Sequence, residues 1–244
     1  MVRNETPDVE SSSTAYARRF AGPVGEWFLA CQESATRALV GDRLDGLRVL
    51  DVGGGHGQLL PFLSQAGCEV TVVGSTPEPP PAMRPWAGHA RVAYVAGHLL
   101  ALPFAERQFD VVFSYRMLPH LERWDALIAE LCRVSARRVV VDYPSSRSVN
   151  SVSGLLFAAK QKVEADTRPF QVFPPATIAA AFAEQGFTTL SEHGEFFLPM
   201  AMHRALGVLA ASRLSEGVTR ALGLRARWGS PRIACAERGD AIDD

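Results

Sequence analysis

The stretch Val49-Leu50-Asp51-Val52-Gly53-Gly54-Gly55-His56-Gly57 reads as an apolar strand that runs straight into a glycine-rich turn. Gly53, Gly55 and Gly57 lack a Cβ, so the chain can turn tightly there and lie close against a ligand. The exposed N–H groups and the N-terminus of the helix that follows favour polar or anionic groups. Spacing narrows what that ligand is. A dinucleotide fingerprint, G-x-G-x-x-G, ends on Gln58 when counted from Gly53 and on Leu60 when counted from Gly55. A phosphate-binding P-loop closes on Gly-Lys-Ser/Thr, and no such sequence stands here.

Outward from this turn the pattern alternates. Strand-like runs at 47–52, 68–73, 91–96, 109–114 and 137–142 are separated by helical segments, the clearest at 56–66 and 122–133. Trp124, Leu127, Ile128 and Leu131 recur at i, i+3, i+4 and i+7 and give the second of these an apolar face. Before the turn, 15–40 is helical with a break at Gly22-Pro23; after it, 150–165, 175–185 and about 200–224 read as helices, and 187–192 and 231–236 as strands. Strands alternating with helices predict a parallel, doubly wound α/β sheet with right-handed crossovers. In such a sheet the ligand lies beyond the carboxyl ends of the strands, so the turns at 53–57, 74–76, 97–99, 114–120 and 142–145 should converge. The expected organisation is a disordered N-terminus (1–13) followed by a single domain (14–244). That domain comprises a helical segment (14–45), a core carrying the glycine turn (46–145) and a C-terminal half (146–244).

Charge and cysteines bound the function. The 244-residue chain carries a formal net charge of −1, so no global positive field gathers nucleic acid. Arginines crowd the C-terminal part at 204, 213, 220, 225, 227 and 232, either as a solvated helix face or as a patch for weak peripheral contact with a membrane or an acidic partner. Cys31, Cys68, Cys132 and Cys235 are scattered without a C-x-x-C pair, which fits a reducing, cytoplasmic setting. The N-terminus has no apolar signal core, and Phe196 to Leu214 is interrupted by Pro199, His203, Arg204 and Arg213, too polar for a membrane span. No two histidines stand at i, i+4 and no His–carboxylate cluster matches a metal motif, so no metal is expected.

Together with Ala101-Leu102-Pro103-Phe104 and Phe109-Asp110-Val111-Val112, the glycine turn resembles the class I S-adenosylmethionine-dependent methyltransferases, in their small-molecule (type 11-like) branch, over roughly residues 45–192. The resemblance implies a Rossmann-like fold: a mainly parallel seven-stranded sheet with helices on both faces, its last strand antiparallel, and residues 14–45 as a helical lid. It implies S-adenosylmethionine as cofactor. Gly53, Gly54, Gly55 and Gly57 would line the methionine and ribose portions, with Asp51 ordering the loop. Leu99 would sit beside the adenine, Ser114 to Met117 would border the transferred methyl, and Tyr16 and Phe20 would close the pocket. The segment Phe196 to Met200, between the last two strands, would roof an acceptor pocket, with core packing the favoured reading for Phe196 or Phe197 individually.

Two positions depart from the family pattern. The acid that usually ends the second strand and accepts from both ribose hydroxyls falls on Gly74, with Ser75, Thr76 or Glu78 as replacement oxygens. The acid usually found near the adenine amino group falls on His98, whose neutral imidazole accepts one hydrogen bond. Prolines 77, 79, 80 and 81 oppose the usual helix, and Trp86 either stacks on the adenine or packs.

Methyl transfer asks the protein mainly to align donor and acceptor and to exclude water. His120, in Tyr115-Arg116-Met117-Leu118-Pro119-His120, reads as general base or hydrogen-bond anchor, or as the residue that orders the loop before the next helix. Arg116 is placed to pair with an anionic acceptor and Tyr115 to bound the methyl channel, with Asp142 and Tyr143 close by. A roof rich in Phe, Leu and Met suits a small, largely apolar or aromatic acceptor. No Asn-Pro-Pro-Tyr motif of base or amide methylation follows the fourth strand. The alternative is a regulatory, non-catalytic binding module with a degenerate cofactor site.

Overall fold

A computed structural model describes residues 5–11, 13–41, 43–149 and 170–239. The predicted alternation is realised. Seven strands, β1 (Arg48–Val52), β2 (Glu69–Gly74), β3 (Val92–Ala96), β4 (Phe109–Ser114), β5 (Ser135–Tyr143), β6 (Phe187–Gly194) and β7 (Arg232–Arg238), form one sheet in the order β3-β2-β1-β4-β5-β7-β6. The first five pair in parallel, and β7 runs antiparallel to both β5 and β6. Strand order reverses between β1 and β4, the crevice where open α/β sheets take their ligands.

Period-two alternation assigns each strand residue to a face. Leu50, Val52, Val112, Val139 and Val141 pack with Leu127, Ile128 and Leu131 of α5 (Trp124–Val134) and with Ile178 and Phe182 of α6 (Pro175–Glu184). Val49, Val111, Phe113 and Val140 pack on the other side with Ala35 and Val40 of α3 (Gly22–Val40) and with Leu60, Phe62 and Leu63 of α4 (Leu60–Gln65). Both faces of the central strands are covered, as apolar parallel strands require.

Several boundaries differ from the sequence expectation for physical reasons. The helix expected at 56–66 starts only at Leu60, because Gly57 adopts a left-handed φ of 62° and donates its N–H back to Gly54 at 2.8 Å, closing a turn first. The helix expected at 200–224 is three: α7 (Met200–Leu206), α8 (Leu209–Ala221) and α9 (Leu224–Trp228), separated by left-handed Gly207 and Gly223. The proline-rich segment after β2 forms only a 3₁₀ turn, Pro81–Trp86. Within the N-terminus expected to be disordered lies α1 (Pro7–Ser11), followed by α2 (Thr14–Ala17) and the 3₁₀ turn Arg18–Phe20. α1 is tied down at two places. The Asp8 carboxylate accepts the Ser75 N–H (2.7 Å) and Oγ–H (2.6 Å), and Glu5 accepts the Glu122 N–H (2.6 Å) and pairs with Arg123. The helix expected at 150–165 lies outside the described residues.

Candidate functional site

The glycine turn leaves β1 beside the end of β4, and there the two chains interlock. Gly53, at φ 75°, donates its N–H to Val73 at 2.8 Å, and a Cβ on it would lie 2.5 Å from Met117 Sδ. A Cβ on Gly54 would lie 1.9 Å from Asp51 Oδ2. These glycines are therefore required by the protein's own packing, with the Asp51 carboxylate lying directly under Gly54. Ser114, fully buried, donates its hydroxyl to Val52 O at 3.2 Å and so ties β4 to β1.

Two recesses open over this loop. One is lined by Asp51, Gly53, Gly54, His56, Gln58, Leu59, Tyr115 and Arg116. The other runs between the N-terminal helices and the Pro81 turn, and His56 and Gln58 form a wall of both. Tyr16 lies against His56 with ring centroids 5.2 Å apart and beside Phe20 at 5.8 Å, so the N-terminal segment touches the loop at His56.

His56 is the residue the sequence reading passed over. Its Nε2 is buried with no hydrogen-bond partner among the described residues. Burial, reinforced by the Arg116 charge, pushes its pKa down to about 3, so the ring is neutral and its free nitrogen faces the site uncharged. A lone non-glycine inside 53–57 was the available signal.

Arg116 is the best-anchored polar group. It holds a left-handed φ of 63°, a conformation that costs a non-glycine residue on the order of 1–3 kcal/mol. Its N–H is capped by the Asp142 carboxylate, its Nη2 donates to Gln32 Oε1 at 2.7 Å, and its guanidinium lies 4.3 Å above the Phe20 ring. Around it sit three buried carboxyls raised by burial: Asp51 to about 7, Asp142 to about 6 and Glu195 to about 8, the last also lifted by Asp142. Tyr115 also lines the smaller recess. Thr36 Oγ1 donates to Gln32 O at 2.7 Å, so Tyr115 is the donor in its 2.7 Å bond to Thr36, and burial holds the phenol neutral.

Other expectations meet a different geometry. Leu99 is buried and packs in one core cluster with Val73 and Leu102. His98 Nδ1 accepts the Leu100 N–H at 3.1 Å, so the neutral ring keeps its proton on Nε2; its remaining nitrogen is a donor, not the acceptor expected toward an amino group. Ser75 donates both its N–H and its Oγ–H to Asp8, and its Oγ retains acceptor lone pairs. Gly74 cannot carry a side chain in this packing: a Cβ would fall 2.6 Å from the Tyr94 hydroxyl, which is held by Thr76. Trp86 packs beside the loop, its Nε1 3.7 Å from a Cβ on Gly57, and its ring meets His89 edge-on. His120 lies on the 3₁₀ turn Leu118–His120 against Phe170, ring centroids 5.7 Å apart, and lines neither recess. Tyr143 donates to Glu192 inside the C-terminal sheet. Phe196, in the segment expected to roof the pocket, packs individually as core, wedged among Trp27, Phe28 and His203. Among the described residues no group of three or more His, Cys, Asp or Glu side chains can hold a metal ion, and no helix is long and apolar enough to cross a membrane. All four cysteines are unpaired.

Comparison with known proteins agrees with this architecture. Residues 50–139 match the family model described as a methyltransferase domain. The malonyl-[acyl-carrier protein] O-methyltransferase of Pectobacterium atrosepticum is 28% identical over 186 residues, which are 75% of this chain and 71% of that protein. An uncharacterized methyltransferase of Mycobacterium marinum is 31% identical over 135 residues, 54% of this chain, and this chain spans about half (49%) of its length. The crystal structure of magnesium protoporphyrin IX methyltransferase from Synechocystis PCC 6803 superimposes with a TM-score of 0.63 at 19% identity, covering 95% of this chain and 98% of that one.

Proposed function

We propose that the chain, whose residues 50–139 match a methyltransferase domain, is a class I S-adenosylmethionine-dependent methyltransferase that methylates an acidic group on a small, largely apolar molecule. The observation that carries this reading is Arg116: a guanidinium locked in a strained backbone conformation, in the same recess as the glycine loop, beside carboxyls that burial keeps partly protonated near neutral pH. A fixed cation with under-ionised neighbours favours an anionic ligand. The likeness to an O-methyltransferase of an acidic acyl group points the same way.

The residues fit the cofactor. The left-handed turn Gly53–Gly57 and the unsatisfied Nε2 of His56 offer backbone and imidazole contacts to the methionine half, with Asp51 bracing the loop. At the nucleoside half, Tyr94 takes the room a β2 side chain would need at Gly74, and Asp8 brings a carboxylate to Ser75, one residue further on. We assign Asp8 the role of sugar acceptor. Bound there, S-adenosylmethionine supplies an electrophilic methyl on a sulfonium, open to in-line attack. Arg116 orients the acceptor's anionic oxygen, Tyr16 and Phe20 exclude water, and Tyr115 bounds the channel as a neutral phenol. With His56 too weak a base at neutral pH and His120 outside both recesses, the acceptor arrives already ionised.

Methyl transfer to a panel of small apolar carboxylic acids and their amides tests this directly: the acids are expected to react and the amides not. Arg116→Met is expected to raise KM for the acid about ten- to a hundredfold, the value of a charge-assisted hydrogen bond. A rise confined to the KM of S-adenosylmethionine would instead assign Arg116 to the cofactor's own carboxylate.

Asp8 has a separate test in calorimetric binding of S-adenosylhomocysteine and its 2′-deoxy analogue. The wild type is expected to prefer the ribose form by about tenfold or more, and Asp8→Asn to bring the two within about threefold. Equal weakening of both ligands would reduce Asp8 to a tether for α1. Failure of the wild type to bind either would count against the cofactor itself.

A further inference from the structure

Helix α8 (Leu209–Ala221) is amphipathic the wrong way round. Its buried residues are Ser212, Glu216 and Thr219. Glu216 accepts the Phe197 and Leu198 N–H groups (3.0 and 2.8 Å) and pairs with buried His203 of α7 at 3.1 Å, so the polar face is spent on knitting the C-terminal helices together. The solvent face carries Leu214, Val218 and Leu222 at i, i+4 and i+8, with Leu214 71% and Leu222 67% exposed. Met202, Leu206 and Val208 of the preceding helix and turn are exposed as well. A surface helix ordinarily does the reverse, and a contiguous apolar face on a soluble domain marks an interaction site.

The charge around this face selects the partner. From Met200 to Trp228 the only carboxylate is Glu216, which is buried, against five arginines at 204, 213, 220, 225 and 227. Arg213 and Arg220 are exposed on the flank of the stripe, about 100° from Leu214 and Ala221 around the helix. The segment is cationic in a chain whose overall charge is −1. An apolar stripe bordered by arginines, with no exposed acid, is the pattern of a helix lying in a lipid interface.

We propose that α8, with the exposed side chains of α7, docks the enzyme onto an anionic membrane surface. Leucine and valine enter the acyl boundary while the arginines meet phosphate headgroups. The proposal is independent of the acceptor's identity and of the cofactor site.

Co-sedimentation with vesicles of phosphatidylcholine alone, or mixed with phosphatidylglycerol, is the test. Binding is expected to the mixed vesicles and to fall with added salt. Arg213→Gln with Arg220→Gln is expected to weaken partitioning about fivefold per arginine. Leu214→Ser with Leu222→Ser is expected to weaken it at least tenfold, both pairs leaving affinity for S-adenosylhomocysteine unchanged. Absence of binding to the mixed vesicles overturns the proposal. So does a dimer, seen by sedimentation equilibrium, that the leucine pair abolishes, since the face would then join two copies of the chain.

Discussion

Gly54→Ala is expected to abolish binding of S-adenosylhomocysteine and to lower the melting temperature sharply. The added methyl would stand 1.9 Å from Asp51 Oδ2 and 2.1 Å from its Cγ, far inside contact distance. Asp51 cannot step aside: it sits within β1, only 3% exposed, with paired strands on both sides. The loop must move instead, carrying Gly53 away from its 2.8 Å bond to Val73 and His56 away from Tyr16. Overpacking of this kind costs typically about 1–3 kcal/mol and more when the surroundings are rigid. Calorimetric titration and thermal unfolding read the two effects. The double variant Asp51→Ala, Gly54→Ala has room for the methyl and is expected to recover much of the stability while binding stays weak, because the brace is gone. Recovery of binding in the double variant would show that Asp51 only fills space. Gly53→Ala is milder on contact grounds, since the far end of the flexible Met117 side chain is what it meets, but it adds left-handed strain.

How much of this was legible in the sequence follows the range of the interactions concerned. The strands were readable because alternation and continuous valine runs are local, and Leu127, Ile128 and Leu131 of α5 are buried as the helical spacing predicts. The glycine turn was readable because its backbone demand is written in consecutive residues. What failed was partnership across the chain. Nothing in Asp8 announces that its carboxylate meets Ser75, 67 residues away. Nothing local tells that the Tyr94 hydroxyl, held by Thr76, closes off Gly74. His98 was read by chemical capacity alone, and the Leu100 N–H had already taken the nitrogen in question. Phe196 was assigned by chain position to a roofing segment but by its own character to the core, and the rings of Trp27 and Phe28 from α3 close around it there.

Glu195→Gln is expected to make the protein more stable at alkaline pH, and the reason lies in the buried acids around Arg116. Glu195 is 5% exposed, its Oε1 has no partner among the described residues, and burial raises its pKa from 4.5 to about 8. A folded-state pKa above the unfolded value means that the native state holds the proton more tightly. The associated stability is complete below pH 4.5 and is lost as pH rises toward about 8. A shift of that size corresponds to about 5 kcal/mol at most. Asp51 and Asp142, raised to about 7 and 6, act in the same direction at lower pH. His56 opposes them: its pKa falls from 6.5 to about 3, so it contributes stability that grows between those values and is constant above them. The carboxyls therefore act unopposed by His56 only above about pH 6.5, and wild-type stability is expected to decline from there to pH 8. Urea unfolding across that range is the measurement. The Glu195→Gln variant should follow a flatter curve, already above the wild type at pH 6.5 and further above it at pH 8, the two converging only toward pH 4.5. A wild type whose stability rises through this window would mean that Glu195 is ionised in the folded protein. Arg116 would then be compensated by a full negative charge, and the case for an anionic acceptor would lose its electrostatic basis.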